Sequence, residues 1–176
     1  MDLPSPLRLH IGGTTPREGW RILNIQPGPQ VDYVGDCTDL SRFPAESVDE
    51  IYASHVYEHL GYQRELPQAF AEIHRVLKPG GRFLISVPDL ETLSRLFVAP
   101  GLSLDQRFHV MRMIFGGQTD PFDFHKVGLS MEILCAFLGQ AGFQSARRVA
   151  SFELFQDCST IVFAGAAISL NVEATK

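Results

Sequence analysis

The sequence predicts an α/β fold built on a doubly wound, mostly parallel sheet with an antiparallel strand at its C-terminal edge. Three observations carry this prediction. Short β-rich runs alternate with amphipathic helical stretches along the chain. The run Phe83–Val87 is apolar except for Ser86, as expected of a strand buried on both faces of a parallel sheet. The chain then finishes with two strand-like runs, Ala146–Phe155 and Thr160–Ala167, joined by Gln156–Ser159.

Leu7–Ile11, Ile22–Ile25 and Val31–Val34 read as the first three strands. The gaps between them, Gly12–Arg21 and Gln26–Gln30, are short and rich in Gly and Pro, too cramped for full crossover helices. The first crossover helices are therefore expected to be shortened or absent. Glu50–Ala53 is the fourth strand. Glu65–Leu77 is a helix, because Leu66, Ala69, Phe70, Ile73, Val76 and Leu77 form one stripe that excludes Glu72 and Arg75. Lys78-Pro79-Gly80-Gly81 ends it with a cation, a breaker and two flexible residues. Arg82–Val87 follows as a buried strand. Asp89 is placed to cap a helix over Leu90–Phe97. Residues from Ala99 to Val127 are less regular, with a helix at Gln106–Phe115 and a loop at Gly116–Pro121. Met131–Ala141 is a last amphipathic helix, stopped by Gly142.

The 176 residues suit one domain, 1–176, and 45% hydrophobic against 20% charged residues excludes a disordered chain. A net charge of −5 gives no footprint for nucleic acid, with Arg147-Arg148 the one local basic candidate. Cys37, Cys135 and Cys158 are too few and too scattered for a disulfide framework or a zinc ribbon, and no metal ligand is assigned. Met1–Pro4 has no charged start followed by an apolar run, and no apolar stretch approaches the roughly 18 residues of a membrane span. A cytoplasmic location is the expectation.

Leu9–Thr15 is a strand running into a glycine turn at Gly12-Gly13, where small residues let backbone approach a ligand at the carboxyl end of a sheet. Plain punctuation is the ordinary reading of such a turn. The second strand ends at Asn24-Ile25-Gln26, where an amide replaces the carboxylate that would grip ribose hydroxyls. The third ends at Gly35-Asp36-Cys37-Thr38, with Asp36 either a ligand for an exocyclic amine or a turn cap.

The stretch Ser47–Leu60 contains a strand followed by Ser54-His55-Val56-Tyr57-Glu58-His59, and Glu72–Phe83 contains Arg-Val-Leu-Lys-Pro-Gly-Gly before a buried strand. In these motifs, and in the helix and Ala-Gly-Phe turn at Leu138–Phe143, the chain resembles the class I methyltransferases, especially the small bacterial proteins of the methyltransferase type 11 group. The resemblance covers residues 7 to 165 and implies a Rossmann-like fold and S-adenosylmethionine as cofactor. It places Gly12 and Gly13 beside the methionine portion, Gln26 at the ribose, Asp36 and Cys37 at the adenine, and Ser54 and His55 toward the sulfonium. The family's glycine motif is Gly-x-Gly-x-Gly or Gly-Cys-Gly, so Gly12-Gly13-Thr14 and Gln26 are departures from it.

The implied reaction is methyl transfer to an oxygen or nitrogen of a small molecule, sugar or lipid precursor, with His55, His59 and His125 as candidate general bases. Residues 99–127 are then an acceptor-side insertion or lid, and Phe108–Phe115 is either part of it or a homodimer face. Two alternatives are kept. One is a methyltransferase-like binding or assembly protein that has lost catalysis. The other is a zinc hydrolase using His55, Glu58 and His59, a pattern that needs a long helix around the motif. For Glu58 the reading favoured is a residue that braces the strand-to-helix turn. For Trp20 it is an anchor for the second strand.

Overall fold

The computed structural model describes residues 6–176. The strands are β1 (Arg8–Ile11), β2 (Trp20–Asn24), β3 (Tyr33–Val34), β4 (Val48–Ser54), β5 (Leu77–Pro88), β6 (Ser145–Arg148), β7 (Val162–Phe163), β8 (Ala166–Ala167) and β9 (Ser169–Thr175). Seven of them form one sheet in the order β3-β2-β1-β4-β5-β9-β6, while β7 and β8 make a separate small hairpin. Pairing is parallel from β3 through β5. The one antiparallel strand, β9, lies between β5 and β6, one place in from the rim.

No helix occurs in residues 12–19, 25–32 or 35–47, so the first three strands are joined by loops, as their Gly- and Pro-rich gaps predict. The helices are α1 (Glu65–Val76), α2 (Leu90–Val98), α3 (Leu104–Phe115) and α4 (Met131–Ala141). Asp89 caps α2 by accepting from the N–H groups of Glu91 and Thr92. Ser103 and Gln106 form a reciprocal capping box on α3. Pro79-Gly80 interrupts β5 as a bulge, because Val48 faces Leu77 while Glu50 already faces Arg82. No helix among the described residues is long and apolar enough to cross a membrane.

The two faces of the sheet are covered in different ways. On one, Leu9, Ile11, Ile51, Phe83, Ile85 and Val172 pack against Phe70 and Ile73 of α1 and Leu134 and Leu138 of α4. Tyr57 is wedged into this core against Phe70 and Phe83, and its buried hydroxyl has no hydrogen-bond partner. Tyr57→Phe removes that unsatisfied group without changing shape. It is expected to raise stability by about 1 kcal/mol, read as a rise of a few degrees in the thermal midpoint.

On the other face the missing crossover helices are replaced by an irregular segment, residues 149–161. Its Phe152, Leu154 and Phe155 pack on Trp20, Tyr52 and Leu84, and the Tyr52 hydroxyl donates to Asp157 at 2.7 Å. Trp20 is thus the anchor that the sequence suggests. Beside this plug an alternating charge ladder crosses five strands, from Arg8 to Glu50, Arg82, Glu173 and Arg147.

The plug corrects the reading of the C-terminal strands. Only Ala146–Arg148 of the first expected run lies in the sheet, within β6, and Thr160–Ala167 supplies just the small hairpin. The closing strand is Ser169–Thr175, which sequence reading missed. Phe152–Phe155 is apolar because it covers the sheet. Ser169–Thr175 has the period-two pattern of a true strand, with Leu170, Val172 and Ala174 in the core, but small and polar residues dilute it.

Candidate functional site

A cleft of about 410 Å³ opens at the carboxyl ends of β1, β2, β3 and β4. A larger hollow, about 660 Å³, lies at the opposite end of the sheet beside Arg8, Trp20 and Asp32. In an open parallel sheet the loops that shape a ligand site leave from the carboxyl ends of the strands, so the smaller cleft is the candidate.

Gly12 follows β1 with φ +77°, and its N–H donates to the Leu23 carbonyl at 2.8 Å. A Cβ there would lie 2.4 Å from Val56 Cγ2, so only glycine fits. A Cβ on Gly13 would enter the His10 ring, again at 2.4 Å. The pair is thus more than punctuation, because each hydrogen is packed against a neighbouring side chain. Asn24, unremarked as a brace in the sequence, ties this turn to β2: its Nδ2 donates to the Gly13 carbonyl at 3.0 Å, and its Oδ1 accepts from the Gln26 N–H at 2.9 Å.

Of the residues expected to hold a cofactor, Gly12, Gln26, Asp36, Cys37 and His55 line this one cleft. Gly13 and Ser54 border a smaller recess of about 110 Å³ on the other side of Gly12, shared with His10 and Asp157. Asp36 uses Oδ1 to accept from both the N–H and the hydroxyl of Thr38 at 2.8 Å, which is the turn-cap role. Thr38 leaves Oδ2 unused. Burial pushes the Cys37 thiol up to about 12, so it acts as apolar wall and not as a nucleophile.

The three candidate histidines gather around Glu58. His55 leaves β4 in the left-handed region at φ +54°, with its N–H held by the Ser86 carbonyl at 2.9 Å. Its Nδ1 is 3.4 Å from Glu58 Oε1, and His125 Nε2 is 3.9 Å from the same oxygen. The rings of His59 and His125 meet edge-on, 4.9 Å apart. Burial pushes the Glu58 carboxyl up to about 8 and the His55 imidazole down to about 4, so at neutral pH their contact is between uncharged groups. Burial, and then His59, also lowers His125. His55 and His59 line the cleft, whereas His125 stands behind it. The Glu58 side chain braces nothing: neither carboxylate oxygen has a hydrogen-bond partner, and its backbone carbonyl does the fastening, accepting from Lys126 and Val127. The motif around it forms a single 3-10 turn, Tyr57–His59, and not the long helix of a zinc peptidase.

Phe122 and Phe124 close the cleft from a loop that follows α3. Asp123 holds that loop together, accepting from Gly117 N–H and from the N–H and hydroxyl of Thr119. No residue of α3 lines the cleft; its Phe108 and Phe115 are more than half exposed on the outer surface.

A family model described as "Methyltransferase domain" matches residues 18–85. No curated protein sequence matches the chain. Among solved structures, it superposes on a SAM-dependent methyltransferase from Archaeoglobus fulgidus with a TM-score of 0.60 at 16% identity, covering 97% of this chain and 86% of that one. It superposes on Burkholderia thailandensis 1,6-didemethyltoxoflavin-N1-methyltransferase, solved with bound 1,6-didemethyltoxoflavin and S-adenosylhomocysteine, with a TM-score of 0.58 at 18% identity, covering 97% and 71%. Human N-acetylserotonin methyltransferase, solved with SAM, gives 0.56 at 17% identity; 97% of this chain is covered but only 47% of the human one. At such identities the likeness establishes the fold.

Proposed function

We propose that this chain, a methyltransferase domain by sequence over residues 18–85 and a class I methyltransferase by fold, transfers the methyl group of S-adenosylmethionine to an oxygen or nitrogen of a small molecule, sugar or lipid precursor. The observation that carries the reading is the glycine turn at the head of the cleft. Gly12 has a backbone conformation and a neighbour that exclude any side chain, so the chain passes bare peptide along the cleft wall.

The residues present fit the cofactor. Gly12 offers its open backbone to the methionine end, Gln26 its amide to the ribose, and Asp36 the carboxylate oxygen that Thr38 does not use to the adenine amine. S-adenosylmethionine brings a sulfonium whose methyl carbon is already electrophilic, so the protein's part is to align the acceptor and keep water out. The acceptor loses a proton, gains the methyl group and leaves S-adenosylhomocysteine. Phe122 and Phe124 cover the cleft, which supports reading residues 99–127 as an acceptor-side lid. His55 has one nitrogen committed to Ser169 and the other facing Glu58, which leaves His59 as the imidazole best placed toward an acceptor.

Isothermal titration with S-adenosylmethionine and S-adenosylhomocysteine tests the reading. Micromolar binding is expected, weakened about tenfold by Asp36→Ala and less by Asp36→Asn, which keeps an oxygen for Thr38. Absence of binding at millimolar ligand overturns it and leaves a methyltransferase-like binding protein.

A further inference from the structure

We propose that Glu58, His59 and His125 hold a divalent first-row transition cation, with zinc the best chemical match, and that its open coordination position takes an oxygen of the methyl acceptor. The second half rests on the reading of the cleft as a methyltransferase site; the first half does not.

One ligand atom from each of the three residues lies within 4.8 Å of the other two. The Glu58 side chain is 2% exposed, and neither of its oxygens has a hydrogen-bond partner. A buried carboxyl group left in that state is costly whether or not it carries a proton, so the site is built around something further.

Hydrogen bonding fixes where the lone pairs lie. The Ser169 hydroxyl donates to the Cys158 carbonyl at 2.8 Å, so it must accept from His55 Nε2–H at 2.9 Å. That leaves the unprotonated Nδ1 of His55 facing Glu58. The Phe124 carbonyl can only accept, so His59 Nδ1–H donates to it at 3.1 Å and Nε2 keeps its lone pair. An imidazole whose second nitrogen donates to a backbone carbonyl is the usual outer support of a metal-bound histidine. Backbone acceptors at Ile114 and Met113 lie near the His125 ring. With Glu58 ionised, its Oε1 and the lone pair of His55 face each other with no proton between them, and His59 and His125 each bring a ligand nitrogen within 4.8 Å. A proton on Glu58 would serve the contact to His55; a cation would engage His59 and His125 as well.

Three protein ligands with a fourth position open is the pattern of a catalytic metal, not a structural one. Two imidazoles and one carboxylate favour zinc, cobalt or iron over magnesium or calcium. Tetrahedral ligation would draw the ligand atoms to roughly 3.4 Å separations, a modest closure of the two rings. His59 carries the site to the cleft wall, where a bound cation would lower the pKa of an acceptor hydroxyl in place of a general base.

The test uses the full chain after chelator treatment, titrated with Zn²⁺ and, as a spectroscopic probe, Co²⁺. One equivalent of Zn²⁺ is expected at micromolar affinity or tighter, unaffected by millimolar Mg²⁺. Co²⁺ should give the visible absorption of a low-coordinate site. His59→Ala, His125→Ala and Glu58→Gln should each weaken Zn²⁺ at least 100-fold, while His109→Gln, on the exposed face of α3, should leave it unchanged. Should an alanine variant not fold by circular dichroism, His125→Gln replaces it. Uptake below a tenth of an equivalent, or equal uptake by a His59→Ala/His125→Ala double variant, overturns the site. S-adenosylhomocysteine titrated into the same samples separates the two readings: cofactor without metal sinks this proposal alone, and metal without cofactor sinks the methyltransferase reading and the acceptor role with it, while the metal site stands.

Discussion

Gly12→Val is expected to abolish binding of S-adenosylhomocysteine, with a loss of at least 100-fold in titration, and to lower stability measurably. Two independent costs meet at this position. A φ of +77° costs a side-chain-bearing residue about 1–2 kcal/mol. The new Cβ would also sit 2.4 Å from Val56 Cγ2, so the turn after β1 must shift away from β4. That shift moves the peptide that walls the cleft and strains the Gly12 N–H bond to Leu23. Gly12→Ala with Val56→Ala relieves the clash and keeps the backbone cost, so it should recover part of the affinity. Undiminished binding by Gly12→Val would mean that the cofactor does not use this turn.

The second large effect is acid sensitivity centred on His10. Its side chain is almost fully buried between Tyr52 and Phe155, with ring centroids at 5.1 and 4.0 Å, and Nδ1 has no partner. Burial pulls the imidazole down to about 4, against a weaker opposing pull from Asp157. The unfolded chain takes up a proton near pH 6.5 while the folded one does not, so stability is full above that pH. It falls as pH drops toward 4, by on the order of 3 kcal/mol from this group, and the contribution is flat below. Urea unfolding at pH 7.5 and pH 5 should show the drop in the native protein and a smaller one in His10→Leu. An identical pH dependence in the two proteins would show that His10 plays no part. Because the ring is covered by the plug at residues 149–161, the first structural sign of acid should be release of that segment, seen as early amide exchange there.

Much of this was legible because local chemistry and tertiary structure agree. The α1 stripe, the Asp89 cap, the stop at Gly142 and the helix-free early connections each follow from residues close in sequence. Five residues expected in the cofactor site, Gly12, Gln26, Asp36, Cys37 and His55, share one cleft because each ends a parallel strand, and parallel strands bring those ends to one edge. The sequence by itself therefore determined the parallel strands up to Val87, the helices packed beside them, and the edge at which the expected cofactor residues meet.

Tertiary structure alone decided three things. Phe152–Phe155 left the sheet to cover it, because hydrophobicity records burial and not the element that supplies it. Ser169–Thr175 became the closing strand because β5 and β6 both pair with it, a long-range choice that its own small and polar residues barely announce. Glu58 and His125, 67 positions apart, were brought within 3.9 Å because the loop after α3 folds back onto the Glu58 carbonyl. Their chemistry exists only in that contact: a glutamate in a turn is ordinary, and a buried carboxylate facing imidazole nitrogens is not.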